Sequence, residues 1–102
     1  MIKVITEANF KDNTSEGLIL LKFGTPWCNP CRAVDAALTE IACDRGDITI
    51  TEVDTDESPE LASQFKIRRI PSIFILKEGQ VVDQFTGIIS KKNINKMIDI
   101  NL

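Results

Sequence analysis

Residues 18–32 read Leu18-Ile19-Leu20-Leu21-Lys22-Phe23-Gly24-Thr25-Pro26-Trp27-Cys28-Asn29-Pro30-Cys31-Arg32. The first six residues are apolar at almost every position, which is the pattern of a central strand covered on both faces. The turn residues Gly24 to Pro26 end this strand, and from Asn29 onward the apolar residues recur at helical spacings. The stretch therefore predicts a strand, a short turn and a helix, with two cysteines where the helix begins.

Cys28 and Cys31 are three residues apart at the start of this predicted helix. Side chains at this spacing lie one helical turn apart on the same face, so the two thiols can form a small disulfide and open it again. The unpaired N–H groups and positive potential of a helix start favour the thiolate, which is the reactive form. The pair predicts dithiol–disulfide exchange. The alternatives are a metal half-site completed by a second chain and two purely structural thiols.

The rest of the chain extends this unit into a mixed-sheet protein. Its periodicity predicts the order β-α-β-α-β-α-β-β-α, with short connections and no repeat or linker. This order indicates one domain over residues 1–102, of α/β or α+β class, with helices on both faces of the sheet.

Several residues mark the expected ends of these elements. Thr6, Ser58 and Ser90 are the predicted N-caps of the first, third and last helices. The second helix is expected to end near Gly46, with that glycine in the left-handed conformation. Glu78-Gly79 is the predicted turn between the last two strands.

Composition narrows the location and the partners. The net charge of −3 and the pI near 4.9 argue against a general nucleic-acid binder. The longest aliphatic run, Leu18 to Leu21, is far too short to span a bilayer. The opening residues Met1 to Val4 contain no leader-like apolar segment. We therefore expect a cytoplasmic chain that binds neither nucleic acid nor membrane.

Cysteine and histidine counts limit the chemistry further. The chain has three cysteines and no histidine, which excludes Cys-His catalysis and any Cys/His zinc finger. Three cysteines cannot complete a four-cysteine metal site within one chain, so no metal is expected. The third thiol, Cys43, falls on the predicted second helix. We expect it to be half-buried and unreactive, with a regulatory or intermolecular disulfide as the alternative.

Four segments together resemble the thioredoxin family. They are Phe23 to Arg32, Val53-Asp54-Thr55-Asp56, Arg69-Ile70-Pro71-Ser72 and Phe85-Thr86-Gly87, and the resemblance covers essentially the whole chain. It implies the thioredoxin fold, a central mixed sheet of about five strands flanked by four helices. It also implies a monomer that reduces disulfides in protein substrates, in electron transport and cell redox homeostasis. Thioredoxin reductase or an equivalent donor would supply the electrons, and no bound cofactor is implied.

The resemblance also implies roles for individual residues. Cys28 would attack a substrate disulfide, and Cys31 would resolve the mixed disulfide. Pro71 would form a cis peptide bond and face the cysteines, whereas from the residues alone it could be an ordinary trans turn proline. The apolar docking surface would comprise Trp27, Pro30, Ile70, Pro71, Gly87 and Ile88. The alternative for Trp27 is that it only covers the core.

Lys22 departs from the family pattern. Members of the family typically carry a buried aspartate at this position, paired with a lysine on the following strand that we match to Ile50. The acid–base pair is therefore expected to be missing. Lys22 either extends its ammonium to the surface and only fills space, or places its charge near the thiols and favours a thiolate.

Two further departures bear on specificity. Asn29 replaces the usual glycine between the cysteines, and Arg69 replaces a glycine common before Ile-Pro. We expect Asn29 to tune the redox potential and Arg69 to affect the substrate range. Two other functions stay open: a disulfide oxidant or isomerase with the same fold, and a thioredoxin-like binding subunit of a larger complex.

Overall fold

The computed structural model describes residues 2–102, in which the predicted order of strands and helices is found. The strands are β1 (Lys3–Val4), β2 (Leu18–Gly24), β3 (Thr49–Asp54), β4 (Ser72–Lys77) and β5 (Gln80–Thr86). The helices are α1 (Phe10–Thr14), α2 (Asn29–Asp44), α3 (Pro59–Gln64) and α4 (Lys91–Ile100). No helix within residues 2–102 is long and apolar enough to cross a membrane.

All of these strands join one mixed sheet in the order β1-β3-β2-β4-β5. β1 and β2 both run parallel to β3, whereas β4 runs antiparallel to β2 and to β5. The predicted α/β class with a mixed sheet and four helices is confirmed. β2 lies at the centre of the sheet, as its continuous apolar run predicts, because both of its faces must be covered.

The side chains of β2 alternate between two apolar cores. Ile19, Leu21 and Phe23 pack in the core that α3 and the α1 residue Phe10 complete. Leu20 points to the opposite face, into the core formed with α2 and α4. Because successive strand residues point to opposite faces, Lys22 shares the α2 face with Leu20. This alternation determines which helix can supply a partner for the lysine.

The first helix begins later than the sequence predicts. Thr6 does not cap a helix; its N–H donates to the side chain of Asn9 at 2.8 Å, and the helix begins at Phe10. The Asn9 amide also donates to the Val4 carbonyl at 3.3 Å. An asparagine that bonds neighbouring backbone groups stabilises a turn in competition with a helix, which explains the delayed start.

The third helix begins where predicted but is capped by another residue. Ser58 occupies the N-cap position, and its side chain accepts no capping hydrogen bond. The Glu7 carboxylate accepts from the N–H groups of Glu60 and Leu61 at 3.0 and 3.3 Å instead. A carboxylate at a helix N-terminus satisfies unpaired donors and interacts well with the helix dipole, so the distant Glu7 replaces the local serine.

The end of α2 also differs in its geometry from the prediction. The helix ends at Asp44, close to the predicted point, but Gly46 does not have a positive φ. Arg45 takes an extended conformation, and its N–H donates to the Ile41 carbonyl at 2.9 Å. Its guanidinium pairs with Asp47 and Asp99, each at 2.8 Å, and these carboxylates raise the pKa of Arg45. These ion pairs stabilise the end of α2, where the sequence predicted a glycine in the left-handed conformation.

Two local predictions are confirmed. The Ser90 side chain accepts from the Asn93 N–H at 3.2 Å and caps α4. Glu78 and Gly79 have φ angles of 51° and 80°, as a tight hairpin turn with two positive φ angles requires.

Phe23 provides a test of the core on the α3 side of the sheet. It is fully buried, and its ring lies 5.1 Å from that of Phe65 and 5.6 Å from that of Phe74. We expect Phe23→Ala to lower the free energy of unfolding by about 3–5 kcal/mol, measured by urea titration. Phe85, which is 40% exposed, is the matched control, and Phe85→Ala should cost far less. Equal losses would contradict the assigned core.

Candidate active site

The two motif cysteines lie at the junction between β2 and α2. Cys28 is the N-cap of α2, and Cys31 is the third helical residue. The two form a disulfide, with their Cα atoms 5.2 Å apart. The Cys31 N–H donates to the Cys28 sulfur at 3.2 Å, as a capping side chain requires. The helix start therefore stabilises negative charge at the Cys28 sulfur.

Because Pro30 has no N–H, it cannot donate a hydrogen bond to the Cys28 sulfur, and Cys31 does so instead. Cys28 is followed by Asn29, Pro30 and Cys31 in the first turn, where N–H groups have no helical partner. Proline has no N–H but is tolerated in the first turn because no intrahelical bond is lost. The Cys31 N–H is the first-turn donor that binds the Cys28 sulfur.

The two sulfurs differ in access. Cys28 is partly exposed, whereas Cys31 is fully buried. Trp27, directly before Cys28, is 78% exposed, so it does not cover the core. Only Cys28 is thus placed to meet a large disulfide-bearing molecule, and Cys31 can be reached only from within the protein.

Pro71 lies at the same end of the sheet as the cysteines. The Ile70–Pro71 peptide bond is cis. The residue after it, Ser72, is paired in register with Phe23, which is followed by the turn that leads to Cys28. The cis form is therefore present where the resemblance places it, while its role in binding substrate stays a prediction.

The loop after β5 joins this end of the sheet. The Gly87 N–H donates to the Pro71 carbonyl at 2.8 Å, and Gly87 has a φ of 109°, which favours glycine. Ile88, next in the chain, is 64% exposed. Ile70 is partly exposed, and Pro30 and Arg69 are exposed. The predicted docking residues thus come from the start of α2 and from the loops around it at one end of the sheet.

Lys22 does not extend to the surface as the first interpretation expected. Its side chain is only 5% exposed, and its ammonium lies 2.5 Å from the Asp35 carboxylate and 3.7 Å from that of Glu52. A buried ammonium needs such partners because an unpaired buried charge is very costly. The interpretation in which Lys22 extends its ammonium to the surface and only fills space is therefore wrong, because the ammonium is buried.

The expectation that an acid–base pair is missing is also wrong. The β3 residue in register with Lys22 is Glu52, whereas Ile50 is in register with Leu20 and lies in the core. Ile50, the residue that we matched to the family's lysine, is therefore not the β3 neighbour of Lys22; that neighbour is Glu52, two residues further along the same face of the strand. A charge pair is present, with the lysine on β2 and the acid on β3.

Asp35 is the site residue that sequence reasoning missed. It lies on α2 four residues after Cys31, and side chains at this spacing are neighbours on one helix face. That spacing was the available signal. The partner across the site, Lys22, is remote in sequence and is brought close only by the packing of α2 on β2.

Gly24 has no side chain, and the Cys31 sulfur and the Lys22 ammonium both lie close to the space that a side chain would occupy. A Cβ atom at Gly24 would lie 2.9 Å from the Cys31 sulfur and 3.2 Å from Cε and Nζ of Lys22. The contact with the sulfur is closer than real Cβ atoms accept and the contacts with Lys22 are tight, so a side chain at this position would force the sulfur or the lysine to shift.

Comparison with known proteins agrees with this geometry. The model of the family described as Thioredoxin matches residues 1–100. Thioredoxin of Listeria monocytogenes is 41% identical over 100 residues, which cover 97% of each chain. Thioredoxin of Chlamydia trachomatis is 34% identical over 98 residues, 96% of each chain. Thioredoxin 1 of Synechococcus elongatus is 41% identical over 101 residues, 96% of this chain and 94% of the relative.

The chain belongs to the thioredoxin family. It is a thiol–disulfide oxidoreductase with protein-disulfide reductase activity, and Cys28 and Cys31 have the spacing of the family's active-site pair. Membership implies, in general terms, disulfide-containing protein substrates and a reductase partner.

Cys43 lies apart from this site. It is a free thiol on α2 and is exposed, not half-buried as the sequence led us to expect. Its neighbour Ala42 turns toward the core in its place, because the buried stripe of α2 passes through Leu38 and Ile41.

Gly24→Ala tests the crowding at the junction. We expect it to lower the free energy of unfolding of the disulfide form by about 1–3 kcal/mol, because the added methyl overlaps the Cys31 sulfur. The matched control is Gly46→Ala, where nothing lies within 4 Å of the added Cβ and φ is not positive. Denaturant titration of both variants gives the comparison, and an unchanged Gly24→Ala midpoint would contradict the close approach.

Proposed function

We propose that Cys28 is the nucleophile and Cys31 the resolving thiol in the reduction of protein disulfides. The observation that supports this assignment is the difference in access: Cys28 is partly exposed at the helix N-cap, and Cys31 is fully buried behind it. A nucleophile must reach the substrate, whereas a resolving thiol needs to reach only the neighbouring sulfur.

The proposed reaction begins with the reduced dithiol. The Cys28 thiolate attacks one substrate sulfur, forms a mixed disulfide and releases the other substrate sulfur as a thiolate. Cys31 loses its proton and attacks the Cys28 sulfur, which breaks the mixed disulfide and releases the second substrate thiolate. Two electrons pass to the substrate, and the chain is left with the Cys28–Cys31 disulfide. A reductase of the thioredoxin reductase type then restores the dithiol.

We further propose that substrates dock on an apolar surface around the cysteines, formed by Trp27, Pro30, Ile70, Gly87 and Ile88 together with Pro71, which is itself buried. The exposure of Trp27 and Ile88, 78% and 64%, supports this, because large exposed apolar side chains beside a reactive group favour contact with a partner. Arg69 borders the same surface and would favour acidic segments of a substrate. Asn29, exposed between the cysteines, would tune the potential.

We also propose that the chain acts as a monomeric single domain over residues 1–102 in the cytoplasm, with no bound cofactor. The single sheet that joins all strands in the described residues supports the domain assignment. The bacterial thioredoxins among the relatives support the assignment to the cytoplasm, which is a reducing compartment.

Serine variants of the cysteines test the assignment in an insulin-reduction assay, first with dithiothreitol and then with NADPH and thioredoxin reductase. We expect Cys28→Ser to abolish turnover. Cys31→Ser should abolish turnover too, but it should accumulate a mixed disulfide with the substrate, visible by mass spectrometry. Cys43→Ser is the control and should keep full activity. A mixed disulfide that forms on Cys31 in the Cys28→Ser variant would reverse the roles.

The docking surface has its own test. We expect Trp27→Ala and Ile88→Ala each to lower kcat/KM for insulin by about tenfold, chiefly through KM, which corresponds to ~1.4 kcal/mol of lost binding. Val81→Ala is the matched control, because Val81 is 49% exposed but lies at the opposite end of β5. A loss of the same size in the control would show a general effect of exposed apolar area.

A further inference from the structure

A buried positive charge lies beside the buried sulfur. Among the buried residues of the described chain, Lys22 is the only one that carries a charge. The Cys31 sulfur and the Lys22 ammonium lie 2.9 and 3.2 Å from the same point, the position of a Cβ on Gly24. They are therefore at most about 6 Å apart, a separation at which one charge shifts the titration of another group.

Two carboxylates hold this ammonium in place. Asp35 approaches from α2 and Glu52 from β3, and we call the three residues the Lys22 cluster. The carboxylate side chains are 39% and 36% exposed, so the cluster connects the buried ammonium to solvent. It opens into a cleft of about 460 Å³, whose other ionisable side chains are Asp54 and Glu57.

Such a charge favours the resolving step. When Cys28 is tied up in the mixed disulfide, Cys31 must become a thiolate while fully buried. Burial disfavours a charged thiolate, and a fixed positive charge nearby offsets part of the lost hydration. Among the charged groups of β2, α2 and β3 that line this cleft, Lys22 is the only cation.

We propose that Lys22 is a positioning residue for the second half-reaction: its ammonium stabilises the Cys31 thiolate, and Asp35 limits that effect by holding the ammonium. The Cys31 proton passes to solvent, and the thiolate attacks the Cys28 sulfur. This inference rests on the proposed function, in which Cys31 resolves the mixed disulfide. It assigns opposite electrostatic effects to two residues that form one ion pair.

Direct titration of Cys31 tests whether Lys22 and Asp35 shift its pKa in opposite directions. In a Cys28→Ser, Cys43→Ser background, Cys31 is the only thiol of the chain, and its thiolate absorbance can be followed against pH. We expect Lys22→Met to raise the measured pKa of Cys31 by about one to two pH units, because the attracting charge is lost. Asp35→Asn should lower it, because a repelling charge is lost. The double variant should lie between the two single variants.

The matched control is a second lysine that pairs with carboxylates of α2. Lys91 lies 3.3 Å from Glu40 and 2.9 Å from Asp44, and these partners raise the pKa of Lys91. Asp44 is about 20 Å further along the helix than Cys31, from the rise per residue. Lys91→Met and Asp44→Asn should therefore leave the Cys31 titration unchanged.

A kinetic measurement shows whether the charge acts in the reaction. A mixed disulfide of Cys28 with thionitrobenzoate, prepared in a Cys43→Ser background, releases the coloured thiolate when Cys31 attacks. We expect Lys22→Met to move the rise of this rate to higher pH and to slow release about tenfold at a pH below both pKa values. Above both, its rate should equal or exceed that of the parent, because a more basic thiolate is a better nucleophile.

Three results would overturn the inference. Shifts of the same direction in Lys22→Met and Asp35→Asn, or no shift in either, would leave Lys22 a structural residue. Slower release in Asp35→Asn at every pH, with an unchanged Cys31 titration, would make Asp35 a proton acceptor. If Lys22→Met does not fold, Lys22→Gln tests the same loss of charge. Failure of the proposed function is distinct, since it would appear as insulin turnover that survives Cys28→Ser.

Discussion

The packing of α2 against the central strand is the constraint on which the site depends. Val34, Leu38 and Ile41 anchor the helix in the core that contains Leu20 of β2. Each fully buried side chain of this size contributes on the order of 1.5–3 kcal/mol, so the helix cannot easily rotate or slide. A fixed helix start holds its unpaired N–H groups at the Cys28 sulfur and keeps Cys31 beneath it. The reactivity of one thiol and the burial of the other follow from the same packing.

The sequence predicted the parts of the fold that depend on local pattern. The continuous apolar run of β2 and the helical spacing after Asn29 indicated the junction, and the Ser90 cap follows from short-range hydrogen bonding. Cys28 could be placed at a helix start for the same reason. Residue-level roles came from the resemblance, because no local rule distinguishes a cis from a trans Pro71.

Two of the failures have the same physical origin, a partner that is distant in the chain. Glu7 caps α3 from more than fifty residues away, and Lys22 finds Asp35 and Glu52 on two other elements. Only the three-dimensional packing creates these contacts. Asp35 was within reach of sequence reasoning through its spacing from Cys31, but a spacing alone gives no reason to prefer it over the exposed acids of the same helix.

Stability is a weak explanation for the lysine in the central strand. Burying the ammonium costs its hydration, and well-packed apolar residues of similar volume often stabilise a core equally well or better. Leu20 and Ile73, which lie next to Lys22 along the strand face and across from it, show that apolar side chains suit this part of the sheet. What an apolar residue could not provide is a positive charge within about 6 Å of the Cys31 sulfur, which must ionise away from water if it resolves the mixed disulfide as proposed. The charge is therefore better explained by the chemistry of Cys31 than by the energetics of the core.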